Sequence, residues 1–167
     1  MRRTKLTLRS TIPLFALVAL AAAPFWGPPR ITVREVTGTP PTPGAVLVVE
    51  EHHHTDDAEM ALSATAEGIR EGRRVSSPIA LTATAEKGHF GVTKQWDSGT
   101  AWVLVFTVQQ GEKGKHGSAS SLVKVNAQGR IVGIETTMDK NVRGDVYPRA
   151  ATKEDIDAAL AALTATR

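Results

Sequence analysis

The sequence predicts an all-β fold: an Ig-like or Greek-key antiparallel β-sandwich, preceded by an N-terminal signal segment and closed by one C-terminal α-helix. Two observations predict the sandwich. Roughly eight short runs rich in Val, Ile, Thr and aromatic residues recur at about ten-residue spacing. Short Gly, Asn and Asp turns separate them, so neighbours pair antiparallel. A third observation sets the two ends apart from this pattern: a basic, apolar start and an Ala/Leu-rich finish with helical spacing.

The start has the layout of a secretory leader. Arg2, Arg3, Lys5 and Arg9 form a positive segment with no acid, and Thr11 to Ala23 is an apolar run. Ala21 and Ala23 supply the small residues of a cleavage site, which places the cut near residues 23 to 30. Pro24 directly after Ala23 is a poor residue to cut before. The alternative is an uncleaved anchor over residues 11–26, with Phe25 and Trp26 at the membrane interface. Residues 24–44 hold six prolines and read as an extended spacer, with room for one short strand at Ile31 to Val36.

Each later element has its own signal. Ala45 to Glu50 is a compact β-branched run, and Met60 to Glu67 alternates with a period of two. Arg70-Glu71-Gly72 is a hairpin turn into Val75 to Thr84, where Pro78 demands an edge or a bulge. Phe90 to Trp96 precedes the Asp97-Ser98-Gly99 turn. Ala101 to Val108, the most hydrophobic stretch after the leader, is the central strand. Ser121 to Val125 and Ile131 to Ile134 flank Asn126-Ala127-Gln128-Gly129, a hairpin signal. Thr152 then caps a helix, Glu154 and Asp155 suit its positive end, and Ile156, Ala159, Leu160 and Leu163 form its apolar stripe. The organisation expected is a leader at 1–23, a spacer at 24–44, a sandwich at 45–137, and an extension at 138–167 with its helix at about 153–164.

Composition narrows the function. The 167 residues contain no Cys, which excludes a disulfide framework, a thiolate metal site, a lipoprotein anchor and a catalytic thiol. The formal charge of +3 suggests a nucleic-acid or membrane partner, but it belongs to the leader. Without residues 1–23 there are 16 Lys and Arg against 17 Asp and Glu. Neither Phe nor Tyr interleaves with the local basic groups at Arg70, Arg73 and Arg74 and at Lys113 and Lys115, so no nucleic-acid partner is expected. Membrane contact is expected only through the leader, if it is uncleaved.

The metal-ligating candidates are His52, His54, Asp56 and His116. Imidazoles and carboxylates suit copper or zinc, and in an extended strand His52 and His54 share one face about 7 Å apart. His53 would point away, so a site needs another ligand, from His89, His116 or Asp56. The plainer alternative is a solvated polar loop, with His116 in a mobile Gly-flanked loop. Trp96 and Trp102 are either a binding platform or core packing. Arg70, Arg73 and Arg74 are either an anion grip or a charged turn. No P-loop, nucleophile elbow or His-Glu-x-x-His pair is present, and no enzyme is expected.

Gly88-His89-Phe90-Gly91-Val92 leading to Trp96, then Gly99-Thr100-Ala101-Trp102-Val103-Leu104-Val105, resembles the core strands of small exported Ig-like domains. These are the FixH-like, YtkA-like and CopC-like sandwiches found near copper and respiratory-oxidase machinery. The resemblance covers about residues 45–134 and implies a fold rather than an activity. CopC-like copper sites use an N-terminal His with further His or Met ligands. Met60 and Met138 stand alone here, so copper is not implied. The function expected is a non-enzymatic extracytoplasmic module, periplasmic or secreted. It binds a protein partner in the cell envelope or assists a membrane complex, without a cofactor. The alternative is a copper or zinc accessory protein built on His52 and His54.

Overall fold

The computed structural model describes residues 28–52 and 60–165. In chain order they form β1 (Arg30–Glu35), β2 (Ala45–His52), β3 (Met60–Arg70), β4 (Arg73–Pro78), β5 (Thr82–Ala83), β6 (His89–Thr93), β7 (Trp102–Gln110), β8 (Ser118–Val125), β9 (Ile131–Thr136), β10 (Met138–Lys140), β11 (Val146–Pro148) and α1 (Lys153–Ala165). One sheet has the order β1-β2-β6-β5, the other β4-β3-β7-β8-β9, and β10-β11 is a separate hairpin. All the pairings are antiparallel, so the chain is an all-β sandwich with one C-terminal helix.

The two sheets meet through the alternate residues that point inward. Leu47, Val49 and Val92 from the first sheet pack on Leu104, Phe106, Val108, Val123 and Val125 from the second, and most of them are fully buried. Trp96 and Trp102 belong to this core, so they are packing residues and not an exposed platform. The Trp102 indole N–H donates to Asp97 at 3.1 Å. Gly68 is needed beneath the ring, because a Cβ there would lie 2.8 Å from Trp102 Cε3.

The sandwich begins earlier than the expected boundary at residue 45. Within the Pro-rich 24–44 segment, Arg30–Glu35 pairs along β2 as an edge strand, and Ile31 and Val33 are buried in the core. Ile31, Val33 and Pro29 supply enough burial to order a segment whose proline content alone reads as spacer. Pro78 ends β4, and the chain continues as a separate two-residue strand, β5. A proline cannot donate to a ladder, and here it splits one expected strand into two on different sheets.

The other face of the five-stranded sheet carries a second, smaller core. Val103, Val105 and Leu122 point away from the sandwich interior and are covered by Ala159 and Leu160, with Ile156 and Leu163 packed alongside. The helix therefore covers its own domain. Ion pairs seat it: Glu67, buried on β3, accepts from Arg74 Nε at 3.1 Å and from Ser76 Oγ at 2.6 Å, and Arg74 also pairs with Asp157 of α1. At the helix start Asp155 accepts the Thr152 N–H at 2.7 Å, and Thr152 Oγ1 accepts the Asp155 N–H at 3.3 Å. This is a capping box, and it satisfies two backbone donors reciprocally. Arg149 grips the same carboxylate with both terminal nitrogens, at 2.5 and 2.9 Å.

The strand register gives the sandwich two distinct ends. At the near end Pro28 and Pro29 lie beside Gly117, whose added Cβ would come within 3.0 Å of Pro29. There Arg30 stands opposite His52, Met60 opposite Gln110, and Gln109 opposite Ser118. The far end holds the Glu71-Gly72, Ser98-Gly99 and Asn126–Gly129 turns and the last turn of α1.

Candidate functional site

Two surface features stand out, one polar and one apolar. The polar one crosses the outer face of the four-stranded sheet. Even-numbered residues of β2 point outward there, because Leu47 and Val49 point into the core. Glu50 lies between Arg34 on β1 and His89 on β6, in register with Thr32 and His89. Arg34 donates to Glu50 Oε1 from Nε at 2.7 Å, with Nη2 at 2.5 Å. His89 Nδ1 is 3.2 Å from Glu86 Oε2 and 4.0 Å from Glu50 Oε1. His52 Nε2 is 3.8 Å from Glu50 Oε2 and 3.5 Å from Thr32 Oγ1. Beside this row lies a cleft of about 170 Å³, lined by Arg34, Thr37, Thr39, Val48, Glu86 and His89 among others.

The sequence-named metal candidates do not form one described constellation. His52 is exposed at the end of β2, while His116 is exposed in the loop between β7 and β8. Both belong to the near end, but His54 and Asp56 lie outside the described residues. Among the described residues no group of three or more His, Asp and Glu side chains is arranged to hold a metal ion. Glu50 belongs to the polar tract that the sequence singles out around His52, but Glu86, which approaches His89, has no place among the sequence candidates. Their signal was weak, since the two glutamates are brought together only by the β2–β6 pairing.

The arginine turn also resolves. Arg70 pairs with Asp97 at 2.5 Å and its guanidinium lies 5.8 Å from the Trp102 ring centroid. Arg74 is committed to Glu67 and Asp157. Both therefore pair with carboxylates of neighbouring elements.

The apolar feature is at the far end. A groove of about 360 Å³ runs between the last turns of α1 and the β8–β9 turn. Ala127, Val132, Ala162 and Leu163 line it, with Lys124, Asn126 and Gln128 at its polar side. A register shift after Lys124 leaves Val132 as the extra residue of β9, and its side chain is 55% exposed beside the helix. The bulge also disrupts the free edge of β9 as a template for strand pairing.

The fold and these surfaces define the class of protein: an all-β sandwich carrying a helix on one face, with a polar row on one sheet and an apolar groove at one end. No family model matches the chain, no curated protein matches it, and no solved structure matches it. Among the described residues no helix is long and apolar enough to cross a membrane.

Proposed function

We propose that the chain is a non-enzymatic extracytoplasmic module that binds a protein partner in the cell envelope or assists a membrane complex. The observation that carries this reading is the far-end groove, whose volume of about 360 Å³ and exposed Val132 offer an apolar segment a place to dock. The groove is lined by residues of α1, β8, β9 and the hydrogen-bonded Asn126–Gly129 turn. Gentle crosslinking in membranes of producing cells tests it. A discrete product is expected that is lost in Val132→Arg and in Ala162→Arg and kept in Ser77→Arg on the exposed β4 edge. Monomer alone, or a product indifferent to both groove substitutions, overturns the reading.

A second reading, a copper or zinc accessory, is favoured by Glu50, which stands within 4.0 Å of nitrogens of both His52 and His89. An ion there would draw these groups in to about 2.0–2.2 Å and compete with Arg34 for the carboxylate. Calorimetric titration of zinc and copper(II) into the chain is its test. This reading expects an affinity that falls at least about tenfold in His52→Ala/His89→Ala, as loss of two ligands requires. An unchanged affinity sinks it.

A further inference from the structure

The β10–β11 hairpin gathers more exposed large hydrophobic residues than any other element among the described residues. Of the large hydrophobic residues exposed among the described residues, it supplies Met138 at 46%, Val146 at 61% and Tyr147 at 37%, with Val142 wholly exposed at its tip. Soluble surfaces rarely gather such residues on one small element without a contact for them. The hairpin is well built. Asn141 Oδ1 accepts the N–H groups of Arg143 and Asp145, and Asn141 Nδ2 donates to Asp145 at 2.9 Å. The tip side chains are thus held outward on an ordered turn.

The topology decides which way it points. β9 runs towards the start of β8, with Thr136 opposite Ser121. The Thr137 N–H then bonds Ser120 O, and the Ser120 N–H bonds Arg149 O. β10 therefore continues past Ser120 towards the near end, where Pro28 and Pro29 lie. Met138, Val146 and Pro148 border a cavity shared with Arg30, Ile31 and Thr32, which puts the hairpin beside the first residues of β1.

The apolar leader run ends at Ala23, and Arg30 opens β1. The intervening residues span at most about 25 Å when fully extended. The near end of the domain is consequently held within that distance of any membrane that contains Thr11–Ala23. We propose that the leader is retained as an anchor and that the hairpin rests tip first on the lipid surface, with Val142 at the headgroup level and Val146 and Tyr147 flanking it on opposite faces of the hairpin. The occupant is lipid because a retained leader keeps this end of the domain within about 25 Å of the bilayer. Tethering makes the contact intramolecular, so a few side chains suffice where they would not bind alone. Lys140 and Arg143 are balanced by Asp139 and Asp145, so apolar insertion and not charge drives the contact. This goes beyond the proposed partner groove, which lies at the opposite end and would then face away from the membrane.

The absence of native cysteine makes the test direct. The full chain carrying Val142→Cys, labelled with an environment-sensitive fluorophore, is reconstituted in phosphatidylcholine vesicles containing nitroxide-headgroup lipid. Ser98→Cys at the far end serves as the reference. At headgroup depth the Val142 label should show blue-shifted emission and at least about threefold stronger quenching than the reference. Equal quenching at the two positions overturns the proposal. So does shielding of the Val142 label only when envelope proteins are added. The mass of the chain isolated from producing cells is the second reading: it should include residues 1–23, and their loss overturns the proposal. Loss of the far-end crosslink leaves these outcomes unchanged, so the two proposals fail separately.

Discussion

Phe106→Ala is expected to destabilise the domain by about 3–5 kcal/mol, the range for emptying a fully buried aromatic site. Phe106 is completely buried at the middle of β7, the strand that joins β3 to β8. Its neighbours are held by ladders on both sides, Ala64 across one and Ser121 across the other. The site therefore cannot collapse far, and the cavity term stays large. For a domain of this size such a loss lowers the melting temperature by roughly 10 °C or more. Calorimetric melting of the variant against the parent checks it. A drop of only a degree or two would mean that the sheets do not interlock at Phe106. Phe106→Leu should recover much of the loss, since it restores most of the volume.

Asp155→Asn is expected to loosen the helix and flatten the acid limb of the stability curve. The Arg149 guanidinium and then the Thr152 N–H hold the Asp155 carboxyl well below the usual carboxylate range. A carboxylate with a depressed folded pKa contributes stability that is fully present above its unfolded value, near 4, and is lost as pH falls through the folded value. The parent should thus exceed the variant by about 1–2 kcal/mol near neutrality, the scale of a lost cap and charged hydrogen bond. The gap should shrink steadily as pH falls below about 4. Melting temperatures of both chains from pH 7 to pH 2 measure it. A gap that stays constant across that range would show that the Arg149–Asp155 fork is not what seats α1. The consequence reaches past the helix, because an undocked α1 exposes Val103, Val105 and Leu122.

The sequence was most legible where local pattern and tertiary role coincide. Ala101 to Val108 reads as a central strand because residues on both of its faces are apolar, and β7 is indeed covered on both sides. The Asn126–Gly129 turn is legible because its chemistry is local: Asn126 Oδ1 accepts the N–H groups of Gln128 and Arg130. The Thr152-x-x-Asp155 cap is legible for the same reason. The apolar run does not by itself reveal that Val103 and Val105 belong to a different core from Trp102. Alternation puts the two valines on the opposite face of β7 from Trp102, so they build the helix-covered core instead. β10 and β11 escaped notice because three-residue strands leave too short a period to read.

The polar row was legible only in part. Glu50 stands two residues before His52 and Glu86 three before His89, but nothing in the spacing brings the two pairs together. Gly91 shows why: it lies on β6 so close to the 37–44 segment that a Cβ would fall 2.0 Å from Thr42 Oγ1. That approach between distant segments shapes the cleft, and no local pattern encodes it.

By itself the sequence determined the sandwich class, the central strand, the capped terminal helix and the concentration of basic charge in its first residues. Each of these follows from periodicity, turn chemistry or composition within a dozen or so neighbouring residues. Only the tertiary structure decided that the short strand of the Pro-rich segment pairs with β2 and enters the core, that β7 separates two cores, and that Glu50 stands between two histidines. It alone also decided that the apolar hairpin lies beside the first residues of β1. Strand order and register bring together residues far apart in the chain, and those pairings depend on which faces can be buried together.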